Sequence, residues 1–239
     1  GPDAAQTVVM QDGVLGPLTT TGRLPLPRIG ERIAALGPSA VTLGRDHETA
    51  AVRHTVPEGE AVSWVSGSDV VTIDLRSGLG DPGLDRFGTV WSFASSEPGV
   101  ILAQRPGGDA ELLPLPDLSG STLTAVRVSP GGNRLAMLVS NGGNRPAVLV
   151  ATVIRDAASR PVGIAEETSV VAWLPGSPID FDWVDEYRIV AVSEAGSGAR
   201  VTHAPLGQFS TDGGSVPSAV EVSGGGSRAM IRVLDHDGR

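Results

Sequence analysis

The sequence predicts an all-β protein, a β-propeller of four-stranded antiparallel blades, with five blades expected and six as the second choice. Three observations support this class. The apolar residues, 40% of the chain, occur in short runs bounded by Gly, Pro, Asp or Ser, as in strands. The 32 Gly and 18 Pro residues weigh against a helical bundle. One strand–turn–strand pattern also recurs at intervals close to those of propeller blades.

Composition excludes several classes of function. The net charge is −9, and all 18 basic residues are Arg, which we attribute to a GC-rich genome. An acidic chain without a basic run lacks the charge pattern of nucleic-acid binding and a polybasic patch for anionic lipid. The absence of Cys excludes disulfides, Cys-ligated zinc and thiol nucleophiles. No run of 18 apolar residues is present to cross a membrane.

Strands are predicted along almost the whole chain, with tight turns between several of them. Asp12-Gly13 is typical of a two-residue hairpin, and Arg105–Asp109 and Glu194–Gly198 fit longer hairpin loops. Ile29–Leu36 is a modest helical candidate ended by Gly37-Pro38, but we expect it not to form a helix. The clearest strand candidates are Thr7–Met10, Val14–Leu18, Ala50–His54, Ala61–Val65, Val70–Leu75, Thr89–Phe93, Val100–Gln104, Ala110–Leu115, Thr124–Ser129, Arg134–Val139, Ala147–Ile154, Val170–Leu174, Arg188–Ser193, Arg200–Ala204, Ala219–Ser223 and Ala229–Leu234.

An internal repeat sets the architecture. Val126–Val139 consists of a strand, a Ser-Pro-Gly-Gly turn and a strand, and Val220–Val233 has the same layout. Val41–Val52 is a looser copy, and Pro82–Trp91 and Ile179–Val190 occupy the intermediate positions. Unit starts near 41, 82, 126, 179 and 220 give steps of 41, 44, 53 and 41 residues. Four short strands fit each step, as in a propeller blade.

The two ends of the chain match each other. Val8–Val14 and Val233–Arg239 each contain a strand that runs into an Asp-Gly turn. Propellers commonly close by pairing strands from both termini, which removes an exposed edge, so Val8–Val14 and Ala229–Val233 are predicted to share a blade. Gly1-Pro2 is typical of a protease-cleavage scar. Residues 1–6 are therefore interpreted as scar and leader, and residues 7–239 as a single propeller domain.

Four segments in order carry a resemblance to a known family. Leu36–Leu43, Gly83–Trp91, Leu123–Ala136 and Phe181–Val190 resemble successive blades of the C-terminal propeller of the actinobacterial LpqB lipoprotein family. The resemblance covers nearly the whole chain from about Thr7, and it rests on the order and spacing of the four segments together. It implies a longer precursor with a lipidated N-terminal Cys and a GerMN-type module, neither of which is among these residues.

The resemblance also implies a function. The family is associated with the MtrA–MtrB two-component system, so the expected role is an accessory lipoprotein domain that binds the extracytoplasmic sensor domain of the histidine kinase MtrB. The expected location is extracytoplasmic, at the cell membrane through a lipid anchor. Two alternatives remain open: a propeller hydrolase that acts on cell-envelope glycan, and a passive spacer module. No catalytic, cofactor-binding or metal-binding residue is expected, and no contact residue with the partner can be assigned.

The hydrolase alternative requires a set of catalytic side chains. The four histidines form no metal-ligand pair and are interpreted as exposed turn or strand-edge residues: His47, His54, His203 and His236. Paired carboxylates act in glycoside hydrolysis, and the densest acidic cluster is Asp180, Asp182, Asp185 and Glu186. In a strand, Asp180 and Asp182 share one face, opposite Phe181 and Trp183. We interpret Val184–Tyr187 as a turn, not as part of an active site.

Several other motifs are interpreted as structural. Asp85, Gly88 and Trp91 are similar to the Asp-box turn of sialidases, with spacing one residue too long and without the leading Ser. Asp235–Gly238 resembles part of a calcium loop but lacks the later Glu. Ser129–Asn133 is not a nucleophile elbow, and Gly224–Gly226 is not a phosphate loop. The tryptophans are expected to pack within the blades, with one at a rim as a possible contact: Trp64, Trp91, Trp173 and Trp183.

Two longer segments are predicted to be loops. Thr19–Gly37 contains Leu24-Pro-Leu-Pro-Arg28, and Arg155–Thr168 accounts for the 53-residue step. Long loops on a rigid scaffold are frequent binding elements, so both are candidate contacts with a partner, but the favoured interpretation is that they are ordinary variable loops.

Overall fold

The computed structural model describes residues 6–11, 14–17, 29–44, 48–118, 120–141, 144–196, 198–216, 219–225 and 228–233. This part of the chain contains twenty strands and one helix. The elements of the first half are β1 (Gln6–Gln11), β2 (Val14–Pro17), α1 (Gly30–Leu36), β3 (Pro38–Leu43), β4 (Thr49–Val56), β5 (Gly59–Ser66), β6 (Asp69–Arg76), β7 (Gly83–Leu84), β8 (Val90–Ser92), β9 (Val100–Gln104) and β10 (Glu111–Pro114). Those of the second half are β11 (Thr122–Val128), β12 (Arg134–Asn141), β13 (Asn144–Arg155), β14 (Pro161–Trp173), β15 (Pro178–Asp185), β16 (Arg188–Ala195), β17 (Gly198–Pro205), β18 (Thr211–Val216), β19 (Ala219–Gly225) and β20 (Arg228–Val233).

The described strands form five four-stranded sheets. Four of them consist of consecutive strands: β3 to β6, β7 to β10, β11 to β14, and β15 to β18. The predicted class, an all-β propeller of four-stranded antiparallel blades, is confirmed. The number of blades around one axis stays a prediction.

The fifth sheet joins the two ends of the chain. Its order is β19-β20-β1-β2, and β1 pairs antiparallel with β20, with Val8 opposite Ile231. The predicted pairing of Val8–Val14 with Ala229–Val233 is therefore confirmed, except at residues 12 and 13, which lie outside the described residues. Strand β20 pairs with β19 on one side and with β1 on the other, so neither β20 nor β1 is left as an exposed edge strand where the two ends of the chain meet.

The chain forms two compact units. Unit 1 comprises residues 1–22, 140–149 and 170–239, and unit 2 comprises residues 23–139 and 150–169. Unit 1 has a core of small β-branched and aliphatic side chains: Val184, Val190, Val192, Ala199, Val201, Val216, Val222 and Ile231. One core of unit 2 is similar: Ala51, Val62, Ile73, Leu79, Leu84, Val90, Ala94 and Leu102. The expectation of a single domain over residues 7–239 stays a prediction.

The segment Ile29–Leu36 forms a helix, so the expectation against one is wrong. Helix α1 ends where Gly37 adopts a left-handed φ of 62° and donates its N–H to the carbonyl of Ala34 at 3.1 Å. Ile29 is fully buried against the β4 residues Ala50 and Val52. A seven-residue helix is marginal by propensity alone, and packing of its partly buried Ile33 and Leu36 against this cluster stabilises it.

The prediction of a loop at Arg155–Thr168 is also wrong. Strand β13 continues to Arg155, and β14 begins at Pro161, so only residues 156–160 form a turn. The segment Asp156–Gly163, on which the loop prediction rested, is a short turn followed by the first residues of β14, and Glu166 and Glu167 are exposed further along this edge strand. An edge strand tolerates charges on both sides, which weakens the alternation on which strand prediction depends. Of the other predicted loop, Thr19–Gly37, residues 19–28 lie outside the described part, and the remainder is mainly α1.

Candidate functional site

Two hairpins of the protein begin with the same aspartate turn. Asp85 follows β7 in unit 2, and Asp185 is the last residue of β15 in unit 1. In each turn the carboxylate Oδ1 accepts the backbone N–H two residues later, from Phe87 at 2.9 Å and from Tyr187 at 2.8 Å. This local hydrogen bond is the reason that Asp favours such positions. The aromatic residue at the tip of each turn is therefore presented in a defined direction.

The Asp85 turn is closed by buried polar contacts. Asp85 Oδ1 also accepts the N–H of Thr89 at 2.9 Å, and Oδ2 accepts the indole Nε1–H of Trp91 at 3.2 Å. The Arg155 guanidinium donates to the same Oδ2 at 2.6 Å. The Asp85 side chain is 0% exposed and that of Arg155 is 8% exposed, so this is a buried ion pair.

The other two guanidinium nitrogens of Arg155 also donate hydrogen bonds. Its Nε donates to the carbonyl of Gly132 at 2.7 Å and its Nη1 to that of Ser159 at 2.8 Å. Its guanidinium lies 4.6 Å from the centroid of the Phe87 ring. One side chain thereby connects the turns at 85–89, 129–133 and 156–160. The arrangement matches the structural interpretation of Asp85, Gly88 and Trp91.

The Asp185 turn is open to solvent. Nε and Nη2 of Arg188 donate to Asp185 Oδ2, each at 2.6 Å, within the same hairpin. The Tyr187 side chain is left 65% exposed. Its carbonyl accepts the N–H of Leu206 at 2.7 Å, which places the β17–β18 turn alongside, and Phe209 in that turn is 95% exposed. We call Tyr187 and Phe209 the aromatic rim.

A shallow cavity of about 460 Å³ is associated with the aromatic rim. Besides the two aromatic residues it is lined by Asp185, Arg188, His203, Pro205, Leu206, Gln208 and Thr211. Burial lowers the pKa of His203, the positive charge of Arg188 lowers it further, and Asp185 opposes this shift. The imidazole is therefore neutral at pH 7, and the ion pair beside it has no net charge.

The cavity combines exposed rings with neutral or internally paired polar groups. Large, stiff aromatic side chains bury much apolar area at a low cost in conformational entropy, and they are typical anchors of protein interfaces. Lone exposed apolar residues are ordinary, but two aromatic residues at one cavity are a candidate binding surface. Phe209 was not singled out in the sequence, although an aromatic residue within the turn Gly207–Ser210 was an available signal.

The histidines do not assemble into a site. His54 is buried, at 6% exposure, and its Nε2 lies 2.9 Å from Ser63 Oγ, so its interpretation as an exposed residue is wrong. It lies on β4, an inner strand of its sheet, where burial requires a hydrogen-bond partner. His203 is half-buried on β17, also an inner strand, and lines the cavity of unit 1, so the prediction of an exposed residue is wrong here too. His47 and His236 lie outside the described residues.

The acidic cluster is used for structure. Phe181 and Trp183 are buried, whereas Asp180 and Asp182 are half-buried, as predicted from alternation. Asp180 Oδ2 accepts the N–H of Val222 at 2.9 Å, and Asp182 Oδ1 accepts the N–H of Trp183 at 2.8 Å. In the described part of the chain, no three His, Asp or Glu side chains are grouped to hold a metal ion.

Trp91 and Trp183 are buried at 0% and 2% exposure, as expected for residues that pack within blades. Trp64 packs against the unit 2 core, whereas Trp173 is 55% exposed on an edge strand. Ser129–Asn133 forms the predicted turn, in which Gly132 donates to the carbonyl of Ser129 at 2.8 Å. Asp235–Gly238 and Gly226 lie outside the described residues, and Gly224 belongs to β19.

A second cavity, of about 580 Å³, lies in unit 2 between residues 93–100 and 115–123. Its lining is mainly apolar and includes Phe93, Pro98 and Leu115. Of its acidic residues, Glu97 accepts a hydrogen bond from Arg76 at 2.6 Å. No histidine is among the described residues that line it. The one helix of the described chain, α1, is too short to cross a membrane.

Comparison with known proteins identifies the family. The family model of the lipoprotein LpqB beta-propeller domain matches residues 13–238. The chain belongs to this family. The resemblance seen in the sequence is thus confirmed, and the LpqB family is one of envelope lipoproteins. No curated protein sequence matches the chain.

Solved structures show the same fold as this LpqB propeller. A putative TolB from Agrobacterium tumefaciens is 11% identical, with a TM-score of 0.56 over 98% of this chain and 100% of that one. TolB from Acinetobacter baumannii is 13% identical, with a TM-score of 0.52 over 82% of this chain, which spans only 43% of that protein. XC5397 from Xanthomonas campestris, described as a gluconolactonase, is 14% identical, with a TM-score of 0.50 over 84% of this chain and 73% of that one. At this identity the likeness concerns the fold alone, because unrelated functions share it.

Proposed function

We propose that this LpqB propeller is a non-catalytic binding module, held outside the cytoplasmic membrane by a lipid anchor elsewhere in the protein, that contacts the extracytoplasmic sensor domain of an MtrB-type histidine kinase. Membership of the LpqB family supports the envelope location. The partner follows from the family resemblance. The structural observation that supports binding is the aromatic rim, with Phe209 95% exposed.

The carboxylates considered for hydrolysis favour binding over catalysis. Among the four carboxylates of the acidic cluster, Asp185 is held by Arg188. Asp180 and Asp182 each accept a backbone N–H. A general acid requires a carboxyl group with a raised pKa. The hydrogen bonds from Arg188 and from backbone N–H groups instead outweigh burial and lower the pKa of Asp185.

The action on the kinase would be positional. A bound module changes the signalling state of a sensor only by the difference between its affinities for the two states. The turn that carries Tyr187 is fixed by Asp185, so the backbone at this residue has little entropy to lose on association. A rigid anchor of this kind can distinguish two arrangements of a partner surface.

The test is calorimetric titration of the purified sensor domain with the unaltered chain and with Phe209→Ala. Truncation of a central aromatic anchor typically costs at least about 2 kcal/mol in binding, so we expect affinity to fall about 30-fold or more. Thermal stability should not change, because Phe209 is almost fully exposed. Leu112→Ala is the matched control, since Leu112 is 60% exposed on β10 in unit 2.

Two results would count against the proposal. Equal losses for Phe209→Ala and Leu112→Ala would remove the aromatic rim from the interface. No binding by the unaltered chain would mean that the partner contact lies outside these 239 residues or that the domain is a spacer.

A further inference from the structure

A second charged surface lies in unit 2, around the ring of Phe87. Three guanidinium groups approach this ring: Arg155 at 4.6 Å from the centroid, Arg86 at 4.7 Å and Arg105 at 5.8 Å. All three distances are within the range of a cation–π contact. We call Phe87 with Arg86, Arg105 and Arg155 the arginine platform.

The charges of the arginine platform are not balanced within it. Asp85 neutralises Arg155 in the buried ion pair. Arg105 donates to the Thr89 hydroxyl at 3.4 Å and to the carbonyls of Ala158 and Ser159 at 3.4 and 2.7 Å, all of them uncharged groups. Among the described residues, neither Arg86 nor Arg105 forms an ion pair with a carboxylate. Two positive charges therefore remain beside one ring, in a chain whose net charge is −9.

The acidic residues around the turn at 156–160 act on a different arginine. Asp156 forms an ion pair with Arg160 at 2.8 Å. Asp109 and Glu111 also act electrostatically on Arg160. Arg86 contacts the Phe87 ring and has no carboxylate partner among the described residues. The unbalanced positive charge is therefore local, and it matches the charge of one or two carboxylate groups.

The platform is held in place. The Asp85 turn fixes Phe87 through its backbone N–H, and Gly132 approaches the ring so closely that an added Cβ would lie 2.8 Å from Phe87 Cε2. A stacked guanidinium loses little freedom when it binds, and its planar fork matches a carboxylate in two parallel hydrogen bonds. Arg86 is exposed, so its fork is accessible.

We propose that the arginine platform binds carboxylate groups of an acidic segment on a protein partner, with Arg86 as the direct contact. This inference rests on the proposed function as a binding module and names a second contact of that module, distinct from the aromatic rim. Two guanidinium groups are too few for an anionic bilayer, which is usually recognised by about four to eight basic residues, and a net charge of −9 opposes approach to such a surface. A short acidic segment is small enough to contact the positive charge of Arg86 and Arg105 without covering the rest of the acidic protein surface.

The experiment uses the whole chain and a hexaglutamate peptide with blocked termini. Calorimetry at about 0.1 M salt, where a Debye length of about 10 Å limits repulsion by the net charge, should give a dissociation constant below about 1 mM, and the affinity should fall as more salt is added. Arg86→Glu should weaken binding at least tenfold. Arg32→Glu is the matched control, because Arg32 is exposed on α1 and its replacement changes the net charge equally; its effect should stay within twofold. In NMR spectra, the side-chain N–H signals of Arg86 and Arg105 should shift on addition of the peptide.

Equal losses for the two variants would overturn the proposal, because they would show attraction to net charge only. Binding of inorganic phosphate or of phosphatidylglycerol vesicles, without binding of the peptide, would also overturn it. Failure of the proposed function is distinguishable: if the sensor domain does not bind but the peptide does so through Arg86, the platform stands and this chain does not make the proposed kinase contact. If the sensor domain binds the Arg86→Glu variant with unchanged affinity, the platform is not part of that interface, and Phe209→Ala decides separately whether the aromatic rim is.

Discussion

The aspartate turns at Asp85 and Asp185 begin alike and end in opposite environments. Both carboxylates accept a backbone N–H from an aromatic residue two positions later. At Asp85 the second oxygen meets Arg155, which comes from a strand 70 residues away and covers the turn. At Asp185 the second oxygen meets Arg188, three residues away in the same hairpin. The Asp85 turn therefore supports the fold, whereas the Asp185 turn leaves Tyr187 exposed to solvent.

The difference shows that a local motif does not determine whether its residues support the fold or bind a partner. Burial of the Asp85–Arg155 pair removes two charges from water, which is tolerated because all three guanidinium nitrogens and both carboxylate oxygens form hydrogen bonds. The Asp185–Arg188 pair keeps about a quarter to a third of its side-chain surface in solvent. Its contribution to stability is correspondingly small.

Removal of the two carboxylates is the strongest test of this contrast. Asp85→Ala leaves a buried guanidinium, an indole N–H and two backbone N–H groups without their acceptor, so unfolding free energy should fall by about 3–5 kcal/mol. Asp185→Ala should cost about 1 kcal/mol or less. Urea denaturation of both variants measures the two values. Similar losses would mean that the buried pair is not the distinguishing feature of unit 2.

Substitution of one glycine in each unit tests how tightly the two regions are packed. Gly132 and Gly207 both have left-handed backbone, with φ of 78° and 74°, but only Gly132 has a neighbour within 4 Å of the place that an added Cβ would take, the ring of Phe87. Each substitution to Ala should cost about 1–2 kcal/mol for the backbone. Gly132→Ala should cost about 1–3 kcal/mol more, since the ring must move. Urea midpoints check this order; a larger loss at Gly207 would contradict it.

The smallest effect concerns an exposed ion pair of unit 1. The hydrogen bond from Arg200, assisted by the N–H of Gly214, lowers the pKa of Asp212 to about 2 from an ordinary value of 3.8. Because the folded pKa is the lower one, the pair stabilises the fold above about pH 4 and loses this effect as pH falls towards 2. Melting temperatures of the unaltered chain and Asp212→Asn should therefore differ slightly at pH 6 and converge near pH 2. A difference that persists at pH 2 would assign the effect to something other than ionisation.

The repeat, the strand runs and the turn residues were enough to predict the fold class and the joint terminal sheet, because both depend on short-range patterns that the chain carries in every blade. Asp180 to Trp183 alternate as expected for the same reason. Predictions failed where a pattern was short or polar. Helix α1 is stabilised by packing of Ile29, Ile33 and Leu36 against the sheet. The polar segment Asp156–Gly163 suggested a long loop, but it is a short turn that leads into edge strand β14.

The sequence by itself determined that this chain forms four-stranded blades, places Asp at hairpin turns and lacks the thiol and metal chemistry of Cys, since these properties are local or compositional. Only the tertiary structure decided which Asp turn is buried. Arg155 reaches Asp85 across 70 positions, and no spacing in the chain indicates that contact. The aromatic rim arises likewise, because backbone pairing brings Leu206 to Tyr187 and leaves Phe209 in solvent. Side chains distant in sequence meet through sheet packing, and their burial decides whether a charge or ring serves stability or recognition.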